Sequence, residues 1–342
     1  MAVLTTRQYY GHRRAVSARD TRTRSGRRHR ALSLFVVGVV ALLVAATGVG
    51  VLLAEGRRAP TPLLPTVLPT ATASYVGLYA QGVPQSYAGV SSFTGVTKVR
   101  PNVVSYYSGW FEPFQTRFAR SAAEHHAVTL VQIDPTNISV AAIADGRYDG
   151  YLLAYAKAVR SFGLGVILSF GHEMNGNWYS WGYRHTAPAT FVAAWRHIVR
   201  LFRSVGAHNV TWLWTVNVEP KPDPAKLSRL ALWWPGKDYV TWVGLDGYYL
   251  HPSSQFAQVF GTTVLAVREV TRDPILISET AAVPAAGQPT KIAELFAGVR
   301  AYGLLGFIWF DTQVRRVSYQ IASPQAVAAF RRAAQTFRVR PF

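Results

Sequence analysis

Cysteine is absent from all 342 residues. That removes disulfides, thiolate metal sites and a cysteine nucleophile, so an exported domain would rest on its hydrophobic core, which a chain of this size can supply. Acids are also scarce. Seventeen Asp and Glu against 36 Lys and Arg leave a net charge of +19, and only 15% of residues are charged. The basic excess forms no stripe interleaved with aromatics of the kind nucleic-acid grooves use, so no nucleic-acid partner is expected. Spread thinly, it favours adhesion to an anionic envelope surface. No second His follows the pair His172–Glu173 at i+4, which excludes the zincin arrangement, and no glycine-rich phosphate turn follows the first strand-like run. Neither a metal nor an organic cofactor is signalled.

What the chain does have begins with segregated charge and apolarity. Residues 1–30 hold nine arginines against the single acid Asp20. Leu32 to Ala54 then runs without a charge, long enough at about 1.5 Å per residue to cross a hydrocarbon core of roughly 30 Å. The expectation is a basic cytoplasmic tail over 1–31 and a transmembrane helix over 32–54. The positive-inside rule then puts everything after it outside the cell membrane. A cleaved signal peptide with secretion is the alternative, but the apolar run and the tail before it are long for one. Residues 55–74, rich in Pro, Thr and Ala, read as a semi-extended linker. The folded domain is expected over 75–342.

There, short apolar runs alternate with longer amphipathic ones. The expected strands are Val76–Tyr79, Val103–Tyr107, Val128–Ile133, Gly165–Phe170, Val210–Thr215, Tyr239–Leu245, Pro274–Ser278 and Leu305–Phe310. The expected helices include Tyr151–Ser161, Pro188–Ser204, Gln255–Thr271 and Ala326–Phe337. Near-continuous apolar strands between helices imply a parallel sheet covered on both faces, and eight of them suit a closed (β/α)8 TIM barrel. Periodicity alone leaves a doubly wound open sheet possible.

A barrel of this type carries its site at the C-terminal strand ends. Those ends hold Tyr106, Tyr107 and Trp110, then Asp134, then His172, Glu173 and Asn175, then Asn217 and Glu219, then Asp246, Tyr248 and Tyr249, then Glu279, then Trp309 and Asp311. Six of the 15 carboxylates beyond Pro60 fall there. Strands four and seven lie roughly opposite in an eight-stranded barrel, so Glu173 and Glu279 can converge. Glycoside hydrolysis needs such a pair, one carboxyl holding a proton while the other stays ionised. The ten tryptophans are mostly core, but flat indole faces also suit sugar rings.

The stretch ILSFGHEMNGNWYSWG (167–182) resembles the acid/base segment of glycoside hydrolase family 26, best known for endo-β-mannanases. Similarity extends through 143–163, 191–217 and 234–248 to PILISET (274–280), where the family has its nucleophile. The resemblance implies a retaining hydrolase with Glu173 as acid/base and Glu279 as nucleophile. It further implies that His172 orders the site, Tyr248 hydrogen-bonds the nucleophile, and Trp178 and Trp309 line positions beside the cleaved bond. One departure stands out: Phe310, then Asp311, follow the strand-eight Trp where mannanases often carry a polar or basic residue. The implied substrate is a β-linked polysaccharide, β-mannan first. A β-1,3/1,4-glucanase, an envelope-glycan transglycosylase and a non-catalytic carbohydrate-binding surface protein remain alternatives.

Overall fold

The computed structural model describes residues 65–218 and 229–337. The expected tail, transmembrane helix and first part of the linker lie outside the described residues, as does Glu219. Among the described residues no helix is long and apolar enough to cross a membrane.

Eight parallel strands close into a barrel in sequence order. They are β1 Tyr75–Ala80, β2 Val103–Gly109, β3 Val128–Asp134, β4 Val166–Phe170, β5 Val210–Asn217, β6 Trp242–Asp246, β7 Ile275–Thr280 and β8 Gly306–Asp311. Each expected strand is present, and closure decides between the barrel and the open sheet. The seam runs from Tyr75 opposite Gly306 to Ala80 opposite Asp311. Gly306 is obligatory there, because a Cβ would fall on the Tyr75 carbonyl.

The outer layer comprises α1 Ala88–Thr97, α2 Thr116–Glu124, α3 Val140–Ala144, α4 Asp149–Phe162, α5 Pro188–Ser204, α6 Thr262–Val270, α7 Gln288–Ala301 and α8 Pro324–Ala334. Helix α5 shows why the amphipathic pattern was readable. Phe191, Ala194, Trp195, Ile198, Val199 and Phe202 are its buried residues, spaced for one face, while Pro188 sits in the first turn, where its missing N–H costs nothing. The stretch expected as one helix over 255–271 instead begins with a π-helical turn, Ala257–Gly261, before α6.

Residues 65–74, at the end of the expected linker, close the barrel floor. Leu68 is buried, the Tyr75 hydroxyl donates to the Pro69 carbonyl at 2.7 Å, and the Ala73 and Ser74 amides donate to the Leu304 and Leu305 carbonyls. After β8 a short hairpin, β9 Gln313–Val314 and β10 Val317–Ser318, returns over the opposite, C-terminal face.

Candidate active site

Glu173 reaches the barrel mouth through a break in strand alternation. Phe170, the last residue of β4, faces the helices, stacked on Phe191 at 5.7 Å. Gly171 then takes a φ of 55° and Glu173 one of 54°. The first suits glycine, and a Cβ there would also lie 2.9 Å from Phe191 and 3.1 Å from Trp181. The second costs a non-glycine residue about 1–2 kcal/mol, and its surroundings hold it. The Glu173 amide donates to the Thr215 carbonyl at 3.0 Å, and Asn175 and Asn217 exchange side-chain-to-backbone hydrogen bonds, both at 2.8 Å. The carboxylate accepts from Asn217 Nδ2 at 2.6 Å and from Trp178 Nε1 at 2.7 Å.

Glu279 arrives by a different device. Ser278 lies inside the barrel, its hydroxyl donating to Asp246 Oδ1 at 2.6 Å, so strict alternation would turn Glu279 towards the helices. The register slips instead: Leu245 faces Ile277, but Asp246 faces Glu279, and on the other side Ile277 faces Phe307 while Thr280 faces Trp309. This bulge gives β7 one extra residue and re-aims the glutamate. Its carboxylate accepts short hydrogen bonds from the hydroxyls of Tyr107 and Tyr248.

Both carboxyls are buried and titrate high. Burial pushes Glu279 up to about 7, and the charge of Glu173 adds to the push. Burial also raises Glu173, opposed chiefly by the positive His172 and by the donors Asn217 and Trp178. Burial would lower His172, but the charge and hydrogen bond of Asp134, 2.7 Å from its Nδ1, together with Glu173 and Asp246 push the imidazole up to about 10. His172 is therefore a buried cation beside the acid. Its carbonyl is held by Trp181 Nε1 at 2.8 Å. Asp246 is raised by burial and then by Glu279 and Glu173, so it favours the neutral form.

The structure thus brings together Glu173, Glu279, His172, Trp178 and Tyr248. Trp309 is corrected: it does not face the mouth. Ile308 occupies the interior space beside Gly77 and Phe310 stacks on Tyr79 at 4.7 Å, so alternation turns the intervening Trp309 outward. There it is fully buried, packs on Phe330 of α8 at 6.3 Å and donates to the Tyr319 carbonyl at 3.1 Å. Phe310 and Tyr319 flank Tyr248 instead. Asp311 holds the hairpin down through the Ile321 amide at 2.8 Å, with burial raising its carboxyl to about 6. The sequence put Tyr107, Asn217, Asp134 and Asp246 at strand ends without tying any of them to the two glutamates. The parity of β2 separates Tyr107 from Tyr106, which instead accepts from the Gln115 amide at 3.2 Å and packs on Phe118. Among the described residues no cluster of three or more His, Asp or Glu is placed to hold a metal.

The sequence model described as Glycosyl hydrolase family 26 matches residues 146–284. Endoglucanase H of Acetivibrio thermocellus is 28% identical over 269 residues, covering 74% of this chain and 29% of that protein. Beta-1,3-xylanase TXYA of a Vibrio species is 24% identical over 178 residues, 49% of this chain and 34% of that one. The chain therefore spans about a third of the length of these curated relatives. In fold, it superposes on the GH26 beta-mannanase from Bacteroides ovatus with a TM-score of 0.60 at 17% identity, covering 79% of this chain and 88% of that one.

Proposed function

We propose that this chain, which belongs to glycosyl hydrolase family 26 through its central segment, is a retaining endo-β-glycanase. The observation that carries the reading is the convergence of two buried, mutually interacting carboxyls, each held by two neutral donors. Glu279 accepts from two phenol hydroxyls, which favour its ionised, attacking form against the burial that raises it. Glu173 sits between amide and indole donors beside a cationic imidazole, with burial favouring its protonated form.

In the first step a Glu279 oxygen bonds to the anomeric carbon as the glycosidic C–O bond breaks, and Glu173 passes its proton to the departing oxygen. In the second, Glu173 takes a proton from water, whose oxygen displaces Glu279 from the same carbon, so two inversions restore the configuration. His172, fixed by Asp134, steers the Glu173 titration and is a positioning residue. The same covalent intermediate would serve a transglycosylase if a sugar hydroxyl replaced the water.

For substrate we propose a β-1,4-linked hexan, mannan first and mixed-linkage glucan second. The former is supported by the mannanase folds the barrel matches, the latter by the likeness to an endoglucanase. We also propose that residues 32–54 anchor the chain in the cell membrane with the barrel outside, which resistance to alkaline carbonate extraction would support and release would refute.

The test is incubation of the purified chain with mannan, mixed-linkage glucan, β-1,3-xylan and laminarin, reading products by proton NMR. Internal cleavage with retained configuration is expected. Inverted products would overturn the mechanism, and binding without turnover would make the chain a carbohydrate-binding protein. Glu173→Ala should lose at least 100-fold on natural glycans, and azide should partly rescue it on an activated aryl glycoside, yielding a β-glycosyl azide.

A further inference from the structure

The loop that carries Glu173 also builds a second feature. Tyr183 is tied to the acid's neighbour, its amide donating to the Met174 carbonyl at 2.8 Å, and the loop is folded so tightly that a Cβ on Gly182 would strike the Gly176 carbonyl. Beside this loop runs an open groove of about 320 Å³, lined by Tyr183, Arg184, Pro188, Arg229, Leu232 and Trp233 among others. Two guanidinium groups converge on the Tyr183 ring, Arg184 at 5.5 Å and Arg229 at 5.9 Å from its centroid. Arg229 Nη1 also donates to the phenol at 2.9 Å.

Like charges share one ring, Arg184 adopts a left-handed φ of 69°, and the ion pairs among the described residues involve neither arginine. Both cations hold the Tyr183 phenol below its ordinary range, through the Arg184 hydrogen bond first and then the Arg229 charge. Leu232, 59% exposed beside the buried Trp233, adds an apolar part to the same lining. Guanidinium and apolar groups lining one groove fit a sugar ring bearing an anion. Forked guanidinium donors suit carboxylate or phosphate oxygens, whereas an uncharged glycan offers them no counter-ion.

We propose that this groove is a subsite for an anionic substituent, a carboxylate or phosphate ester, carried by the glycan on the leaving-group side of the cleaved bond. The groove is assigned to that side because its Tyr183 is tied by hydrogen bond to Met174, next to the group that protonates the leaving oxygen. The inference rests on the hydrolase reading above and names the substrate class within it: an acidic β-glycan.

The test uses the full chain in detergent micelles and mannan and β-1,4-glucan, each in three forms: neutral, oxidised to the carboxylate at C6, and phosphorylated at C6. The release of reducing ends should show kcat/KM at least tenfold higher on one charged form than on its neutral parent. Whichever form wins identifies the anion. In the Arg184→Ala/Arg229→Ala protein the preference should fall to near parity, while the rate on neutral glycan stays within about twofold. Equal or lower rates on both charged forms, or an undiminished preference in the double variant, would overturn the subsite. If no form of either polymer is cut, the hydrolase reading fails on these backbones and the groove is read by affinity electrophoresis through the same polymers. Retardation by a charged polymer that weakens in the double variant supports the subsite, and identical retardation refutes it.

Discussion

Glu279 makes its hydrogen bonds to phenols and, among the described residues, no ion pair. A buried carboxyl held this way is sensitive to its neighbour's charge, and kcat/KM should be bell-shaped, highest when the pair shares one proton. With Glu173→Gln and an aryl glycoside whose leaving group needs no proton, the acid limb of the glycosylation burst should move below about 7, because the push from Glu173 is gone. An unmoved limb would show that the two do not interact. Asn217→Ala removes a donor to the ionised form of Glu173, so the basic limb should shift upward and kcat fall about tenfold. Stability follows the same charges. Because folding raises the Glu279 pKa, its contribution is present below the unfolded value near 4.5 and is lost as pH rises through about 7. Glu279→Gln should therefore melt a few degrees higher than the parent at pH 8 and about equally at pH 4. At this scale the sequence singled out the two glutamates that the fold brings together, since motif and strand position coincide. It did not tell Tyr107 from Tyr106, or Phe310 from Trp309. Adjacent aromatics in a strand buried on both faces carry no polar alternation to mark the inward one.

The two turns that deliver the glutamates rest on glycines and a slipped register. Gly171→Ala meets a positive φ and two aromatic rings at once, so a loss of about 1–3 kcal/mol in unfolding free energy is expected, with activity falling further than stability as His172 and Glu173 shift. Gly176→Ala is the finer probe. Its Cβ would fall within the Trp178 indole, displacing the ring from Glu173, so kcat should drop at nearly constant far-UV circular dichroism. The β7 bulge was invisible in the sequence because Ser278, Glu279 and Thr280 are all polar, so no alternation marks which of them faces inward. Helix α1 was missed for a related reason: Ala88–Thr97 is AGVSSFTGVT, mostly residues of low helix propensity, and it folds because Val90 and Phe93 are buried.

For the whole molecule the pattern of eight apolar runs marked a parallel sheet covered on both faces but not its closure, because an open doubly wound sheet has the same periodicity. The floor is where sequence and structure differ most. A Pro- and Thr-rich stretch reads as linker, yet residues 65–74 supply Leu68, the Pro69 carbonyl and two backbone hydrogen bonds to the barrel. A chain beginning at residue 75 should unfold about 2–5 kcal/mol more easily than one beginning at 65, with the same kcat at low temperature. Equal denaturation midpoints would show that the plug is decorative.

That floor attachment has a mechanical side. A pull applied through the residues before 65 enters the barrel along β1, opposite the mouth. It loads the parallel ladder between β1 and β8 in shear, six register pairs at once from Tyr75 to Ala80, rather than peeling bonds one by one. The loops that carry Glu173 and Tyr248 lie outside that line of force. A barrel held by its N-terminal side would carry load through β1 and β8 and leave the arrangement of Glu173 and Glu279 unstrained.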